Sequence, residues 1–365
     1  MSLDRLIIKE IPYQTHISRD WIVRILSTIP EFSENDPKNP EWIATPTIPL
    51  DLRSKGYGIV YVKDESNPRS NPTRTAKDRP AHEIALLYRN FALTLEMLRE
   101  SGRVNGNLDS ILIPTFTVFT YGNWGTALAR KFEKWGLPPP NLVIPDTTPD
   151  ARVEILKGEY ANIFMVNSSE RELSTEDIKG ATSHPESVDI TSVMTIEPWS
   201  IFYDWLCHEV FNEAPDMVFV PYGSARLYEN LHHWQWKSIR NHFDRRPDPR
   251  LQVPIEVVAS MQILGATPSD KHSSADYLTA PFNPFIIFDK NDIEAQNTLL
   301  SRGATSGIYG VREELIREAP KLIEGEVFET SPTGSAGLAL YMQLWDQGLI
   351  PPNKKVLIVN TGRGI

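Results

Sequence analysis

With 365 residues, 41% of them hydrophobic and 23% charged, the chain is long enough for a sizeable core and more than one domain. Its formal net charge of −10 argues against a nucleic-acid or anionic-membrane surface as the main partner. Cys207 is the one cysteine, which excludes an intrachain disulfide and a thiolate metal cluster.

No run of about 18 apolar residues marks a membrane span, and Met1-Ser2-Leu3-Asp4-Arg5 does not open a long apolar leader. The expectation is a cytoplasmic protein without a membrane partner. Glu31 to Pro40 reads as a polar loop, and Thr45 to Leu50 as an extended segment leading to a short helix. Ile59 to Lys63 is a β-branched strand, and Pro80 to Arg99 carries Ile84, Leu87, Phe91, Leu95 and Leu98 at helical spacing. Strands are expected at Ile111–Thr115, Leu142–Pro145 and Ile163–Val166, with helices at Thr126–Trp135 and Ala151–Gly158 between them. That alternation points to βαβ units and a parallel sheet.

Ser168 to Val193 is polar and turn-rich, the expected boundary region. Beyond it the pattern predicts a helix over Ser200–Phe211, a strand over Met217–Pro221 and strands at Ile255–Ala259 and Phe285–Asp289. Helices follow at Val311–Ala319 and from Thr333–Gly337 through Leu344, and Val356–Val359 is the last strand. The stretch Leu231–Arg250, with His232, His233, Trp234, Trp236, Arg240, Arg245 and Arg246, reads as a packed helix followed by a solvated loop. Neither His232-His233 nor Cys207 has a metal-ligand spacing, so no metal is expected.

Two Asn-Pro turns, Asn67-Pro68 and Asn71-Pro72, lead into Thr73-Arg74-Thr75-Ala76-Lys77-Asp78-Arg79 and the helix after it. Lys77 therefore stands near a helix start, where the macrodipole and Arg74 and Arg79 disfavour a protonated amine. Either this is a solvated Lys-Asp-Arg turn or a lysine fitted for imine chemistry. Four further segments are small-residue turns, each read as following an apolar strand and all but the last opening a helix. They are Thr120-Tyr121-Gly122-Asn123-Trp124-Gly125, Tyr222-Gly223-Ser224-Ala225-Arg226, Ser331-Pro332-Thr333-Gly334-Ser335-Ala336-Gly337 and Thr361-Gly362-Arg363-Gly364. Each can serve as a helix cap or tight turn, or offer backbone N–H groups to an anion. None has dinucleotide-fingerprint or P-loop spacing.

In this order, the segments resemble the fold type II pyridoxal-phosphate enzymes of the tryptophan synthase β-subunit family, with threonine synthase the nearest branch. Asn71-Pro72-Thr73-Arg74-Thr75-Ala76-Lys77-Asp78-Arg79 is similar to that family's NPTGSFKDR, and Val62-Lys63-Asp64-Glu65 precedes it as in the family. Gly122-Asn123 matches its Ser-Gly-Asn-Thr-Gly loop, and Val220 to Ser224 stands at its phosphate loop. Ser331 to Ala336 resembles Glu-Pro-Ser-Gly-Ala-Ala, and Thr361 to Gly364 its TGxG ending.

The resemblance implies two doubly wound α/β domains with mainly parallel sheets and pyridoxal 5′-phosphate in the cleft between them. On the sequence division, residues 45–175 form the domain with Lys77, and 1–44 plus 176–365 the other. By the match Lys77 forms the aldimine and moves the Cα proton, Asn123 meets the 3′-oxygen, Gly223, Ser224, Ala225 and Arg226 hold the phosphate, and Thr333 meets the pyridine nitrogen. Thr120, Tyr121, Gly122 and Trp124 surround the substrate carboxylate, and Tyr121 is either an acid at the leaving group or a packing residue. A neutral hydroxyl at Thr333 does not hold the ring nitrogen protonated, which favours loss of a β- or γ-leaving group over transamination.

The expected reaction is elimination or replacement on an amino acid through an aminoacrylate-like intermediate, as in threonine synthase. Cysteine synthase-like replacement, serine/threonine dehydration and a non-catalytic ligand-binding relative stand as alternatives. The family implies a homodimer. Arg69, Arg74, Lys271 and Arg363 are candidates for a substrate phosphate. Departures from the family are Tyr121 for Ser, Trp124 for Thr, Pro80 for Gly, and lost glycines at Ser224, Ala225 and Arg226, where Arg226 offers a compensating charge.

Overall fold

The computed structural model describes residues 43–101, 115–120, 122–169, 173–182, 187–190, 203–270, 272–278, 306–323, 325 and 328–363. The chain forms two compact units, one within Pro80–Ser200 and the other from Ile43–Arg79 with Ile201–Ile365.

The first unit carries a four-stranded sheet in the order β5-β4-β3-β6. Its strands are β3 (Thr115–Phe119), β4 (Asn141–Pro145), β5 (Asn162–Val166) and β6 (Ser187–Asp189), all parallel. Most of the long helix α1 (Asp78–Ser101) belongs here, with α2 (Asn123–Lys134), α3 (Asp150–Lys157) and α4 (Thr175–Thr182). Tyr88 of α1 meets Phe116 of β3 edge-on at 4.7 Å and Phe132 of α2 at 5.4 Å, so the sequence-distant rings share one core.

The second unit is built on a six-stranded sheet, order β1-β2-β10-β7-β8-β9. These are β1 (Thr47–Asp51), β2 (Ile59–Asp64), β7 (Met217–Pro221), β8 (Gln262–Pro268), β9 (Gly307–Val311) and β10 (Val356–Asn360). Only β1 runs antiparallel, at the edge beside β2. β7 and β10 are buried along their whole length, as parallel strands covered on both faces must be. Among the described residues its α-helices are α5 (Asp204–Asn212), α6 (Arg226–Phe243), α7 (Ile255–Ser260), α8 (Glu313–Leu322) and α9 (Ala336–Asp346). Phe219, Leu264, Leu340 and Ile358 lie in the core that α8 and α9 share with the sheet.

Several sequence expectations are corrected. Ile255–Ala259 is helical rather than extended, because Pro254 takes the position just ahead of the first helical residue and pre-sets φ. The strand comes one step later, where Gln262–Pro268 finds β7 and β9 on either side. Val311 ends β9, so the helix begins only at Glu313. Ser168–Val193 is no plain linker, for it supplies α4 and a strand that pairs with β3. The division at residues 45–175 also shifts: β2 pairs with β10, which places the segment through Arg79 with the C-terminal sheet. Residues 111–114 and 285–289 lie outside the described residues.

Candidate active site

Three neighbouring parallel strands, β2, β10 and β7, end at one edge of the second unit's sheet, in register Asn360↔Asp64 and Ile358↔Phe219. Their carboxyl ends therefore deliver the Lys77 motif, Thr361-Gly362-Arg363 and Tyr222–Arg226 side by side, the usual ligand edge of an open parallel sheet.

The Ser331 loop follows no strand among the described residues, contrary to the sequence reading, and Asn360 brings it in instead. The Asn360 amide donates to Asp64 Oδ1 at 3.2 Å and to the Glu329 carbonyl at 2.9 Å, and accepts from Thr330 Oγ1 at 2.7 Å. Two glycines then allow three backbones to cross. A Cβ at Gly334 would overlap the Gly362 carbonyl, and one at Gly362, whose φ is 97°, would overlap the Arg74 carbonyl. The same crossing is tied by Ala76 N donating to Thr361 O at 3.1 Å and Thr361 N to Gly334 O at 3.2 Å.

Lys77 immediately precedes α1, and its turn is shaped by its own neighbours. Thr73 donates through N and Oγ1 to Asp78 Oδ2 at 2.8 and 2.7 Å, and Lys77 N donates to Thr75 Oγ1 at 3.2 Å. Both ends of the turn are anchored in a buried charge cluster. Arg79 forks onto Glu65 (Nε–Oε2 2.6 Å, Nη2–Oε1 2.8 Å) and reaches Glu209 at 2.7 Å, while Asn71 Nδ2 donates to Glu65 Oε2 at 2.9 Å. Lys63 closes the cluster on Glu209 at 2.7 Å, giving two cations and two carboxylates.

Burial opposes the charge on Arg79, yet Glu65 and Glu209 outweigh it and hold the guanidinium charged more firmly than usual. Burial likewise opposes ionisation of Glu209, but Arg79 and Lys63 bring its carboxyl below the ordinary 4.5. Lys77 differs from Lys63: among the described residues its amine has no carboxylate partner and bonds only the Tyr203 hydroxyl, at 3.3 Å. Neither Tyr203 nor Glu209 carries a local sequence signal. The conserved-looking spacing of a motif is absent around both, and they meet Lys77 and Arg79 only through the fold.

In the second unit, Gly223 packs so closely on Tyr277 and Leu278 that a Cβ there would meet the Leu278 side chain at 2.8 Å. Ala225 precedes α6 with φ 61°, so the left-handed conformation suited to glycine persists without one. Such a conformation costs an L-residue about 1–2 kcal/mol, partly recovered by alanine's smaller backbone freedom. Ala225→Gly is therefore expected to raise the melting temperature slightly and Ala225→Val to lower it, as thermal melts would record. No side chain caps α6, whose first residue is Arg226.

In the first unit, Thr120 is buried, and its hydroxyl accepts from Gly122 N at 3.3 Å and Gly125 N at 3.2 Å. It thus shapes the loop from within. Gly122 lies just ahead of α2, Asn123 opens that helix and Trp124 follows half-buried. Tyr121 and Lys271 lie outside the described residues. Of the proposed phosphate-binding cations, Arg74 and Arg363 both approach Glu329, at 2.5 and 3.7 Å, while Arg69 is exposed elsewhere on the loop. Trp234 and His208 pack edge-on at 4.5 Å, so the front of Leu231–Arg250 is core. Among the described residues no group of His, Cys, Asp and Glu is arranged to hold a metal ion, and no helix is long and apolar enough to cross a membrane.

The sequence matches the family model described as pyridoxal-phosphate dependent enzyme over residues 39–362. This chain belongs to that family. Its cofactor is pyridoxal 5′-phosphate and its fold is that of the fold type II enzymes. Comparison with curated proteins gives no match. Among solved structures it is similar to a pyridoxal 5′-phosphate-dependent aspartate racemase (TM-score 0.58, 14% identity, covering 97% of this chain and 98% of that one). It is also similar to O-acetyl serine sulfhydrylase isoform 3 from Entamoeba histolytica (0.57, 14%, 98% and 92%). A third is diaminopropionate ammonia lyase from Escherichia coli (0.55, 13%, 94% and 88%).

The residues of this pyridoxal-phosphate enzyme fit the cofactor on a simple test of hydroxyl partners. Thr330, Ser331 and Ser335 each spend their hydroxyl on a protein acceptor, at 2.7, 3.2 and 2.9 Å. The Thr333 hydroxyl between them, and that of Ser224, make no hydrogen bond to another of the described residues. Both residues are half-exposed, so their hydroxyls are open to water and to a polar ligand alike.

Proposed function

We propose that the enzyme eliminates or replaces a side-chain group of an amino acid, with chemistry most like that of threonine synthase. The observation that carries this reading is the open Thr333 hydroxyl, a neutral group, on the loop held against the Lys77 motif by the glycine crossing. When bound, pyridoxal phosphate draws electrons from the amino acid's Cα and acidifies its proton.

Lys77 holds the cofactor and takes that proton. Gly223 to Arg226 bind the phosphate at the uncapped start of α6, where helix N–H groups and the dipole favour an anion. Thr333 meets the ring nitrogen without supplying the charge a carboxylate would, so the ring withdraws electrons less strongly and early departure of a side-chain group is preferred to transamination. Asn123 is assigned to the cofactor's 3′-oxygen, and Thr120, Tyr121, Gly122 and Trp124 to the substrate carboxylate, with Tyr121 as acid. In the same reading the enzyme is a cytoplasmic homodimer.

The test is to load the purified protein with pyridoxal phosphate and supply amino acids with β- or γ-leaving groups in turn. Release of the leaving group, with a 2-oxo acid or a substituted amino acid as product, is expected. Racemisation or transamination alone would overturn the reading, as would a protein that stays colourless with the cofactor.

A further inference from the structure

Lys77 owes its orientation to a residue far away in the chain. Tyr203 is 3% exposed and stands directly ahead of α5, and its hydroxyl accepts from Lys77 Nζ at 3.3 Å. Among the described residues that hydroxyl has no other hydrogen-bond partner, although a buried phenol normally finds one.

The tyrosine itself is pinned. Its backbone N donates to Asn230 Oδ1 at 2.8 Å, and Asn230 Nδ2 donates to Asp204 Oδ1 at 2.8 Å. Asn230 lies one turn into α6, the helix that begins at Arg226. Further along α5, Glu209 grips Arg79, two residues after Lys77. Helix α5 is thereby fastened to the Lys77 turn at two points and to the phosphate-loop helix at a third.

We propose that Tyr203 is the positioning residue of Lys77, holding its amine through both protonation states of the catalytic cycle. A phenol oxygen can do this because it accepts from either form of the amine. When Lys77 has taken a proton, the ammonium donates to the Tyr203 oxygen. When Lys77 has given the proton up, a remaining N–H donates to the same oxygen and the lone pair stays free to react. The proton that moves stays between Lys77 and the substrate, and Tyr203 keeps its own. Without this bond a four-carbon stem is free to sample other rotamers, and the amine must be reordered each time it attacks the cofactor aldehyde or approaches the substrate carbon. Burial of Tyr203, with its helix anchored at several points, makes the hold rigid.

This inference rests on Lys77 being the lysine that carries the cofactor. Its test is Tyr203→Phe, which keeps the ring and removes only the oxygen. Stripped of cofactor and then mixed with pyridoxal phosphate, the variant is expected to take it up about tenfold more slowly than the wild type, the upper end for one lost hydrogen bond between neutral groups. Final absorbance and melting temperature should be unchanged, and kcat should fall by a similar factor with KM for the amino acid unaltered. A variant with wild-type uptake and kcat overturns the proposal, and so does one whose melting temperature and KM change along with kcat, since that marks a purely structural tyrosine.

If Lys77→Ala retains the absorbance of lysine-bound cofactor, the assignment of Lys77 fails first. If that absorbance is lost while Tyr203→Phe is indistinguishable from wild type, only the present inference fails.

Discussion

Lys77→Ala is expected to lose the yellow absorbance of lysine-bound cofactor and to turn over at least about 10²–10⁴-fold more slowly, the range a positioned general base contributes. Its melting temperature should hardly change, because the amine makes one hydrogen bond and no ion pair among the described residues. Absorbance before and after borohydride treatment of the two proteins is the direct check. Persistence of the band would mean that another lysine carries the cofactor. Lys63 is a poor substitute on physical grounds: its side chain is 3% exposed and bound to Glu209 and to the Thr45 carbonyl. An amine held on a buried carboxylate and a backbone carbonyl is not placed to attack an aldehyde.

Arg79→Ala has the largest expected effect on stability. It leaves Glu65, fully buried, and Glu209 facing each other with Lys63 as the one remaining cation of the cluster. Removing one partner from a buried charge network typically costs about 3–5 kcal/mol, which urea titration would resolve. Arg79→Lys should recover only part of that loss, since an ammonium cannot fork onto Glu65 and reach Glu209 at the same time.

The cluster also sets a direction for acid denaturation. The folded state holds Glu209 below its ordinary 4.5, against the pull of burial, so protons bind more readily to the unfolded chain. The stabilisation from Glu209 is therefore complete above that value and is lost as pH falls through the lower, folded-state range. Stability measured from neutral pH downward should show this loss in the wild type, and the Arg79→Ala protein should lack its Arg79-dependent share.

Where a segment's structure follows from its own residues, the sequence was a good guide. The β-branched runs at Ile59–Lys63, Met217–Pro221 and Val356–Val359 became β2, β7 and β10 with small changes at the ends. Turn residues between them punctuated the chain, and the unusual glycines proved necessary, as Gly334 and Gly362 show at the backbone crossing. Ile255–Ala259 misled because its valines and isoleucine suit a strand as well as a helix, and Pro254 decided the matter locally. Ser168–Val193 misled for a different reason. A three-residue strand such as β6 is too short to show a period, and only its pairing with β3 makes it one.

The family and its cofactor were therefore legible in the residues, because the Lys77 turn and the small-residue turns after it are each runs of a few positions. What tertiary structure alone decided is which of those groups meet. Tyr203 reaches Lys77 across 126 positions and Glu209 reaches Arg79 across 130, contacts that no local pattern encodes. They exist because β2, β10 and β7 lie side by side in one sheet and α5 is buried against the turn that follows β2. Strand pairing and burial over such separations depend on the whole chain closing its core at once, and so the lysine could be read from the sequence while its partner could not.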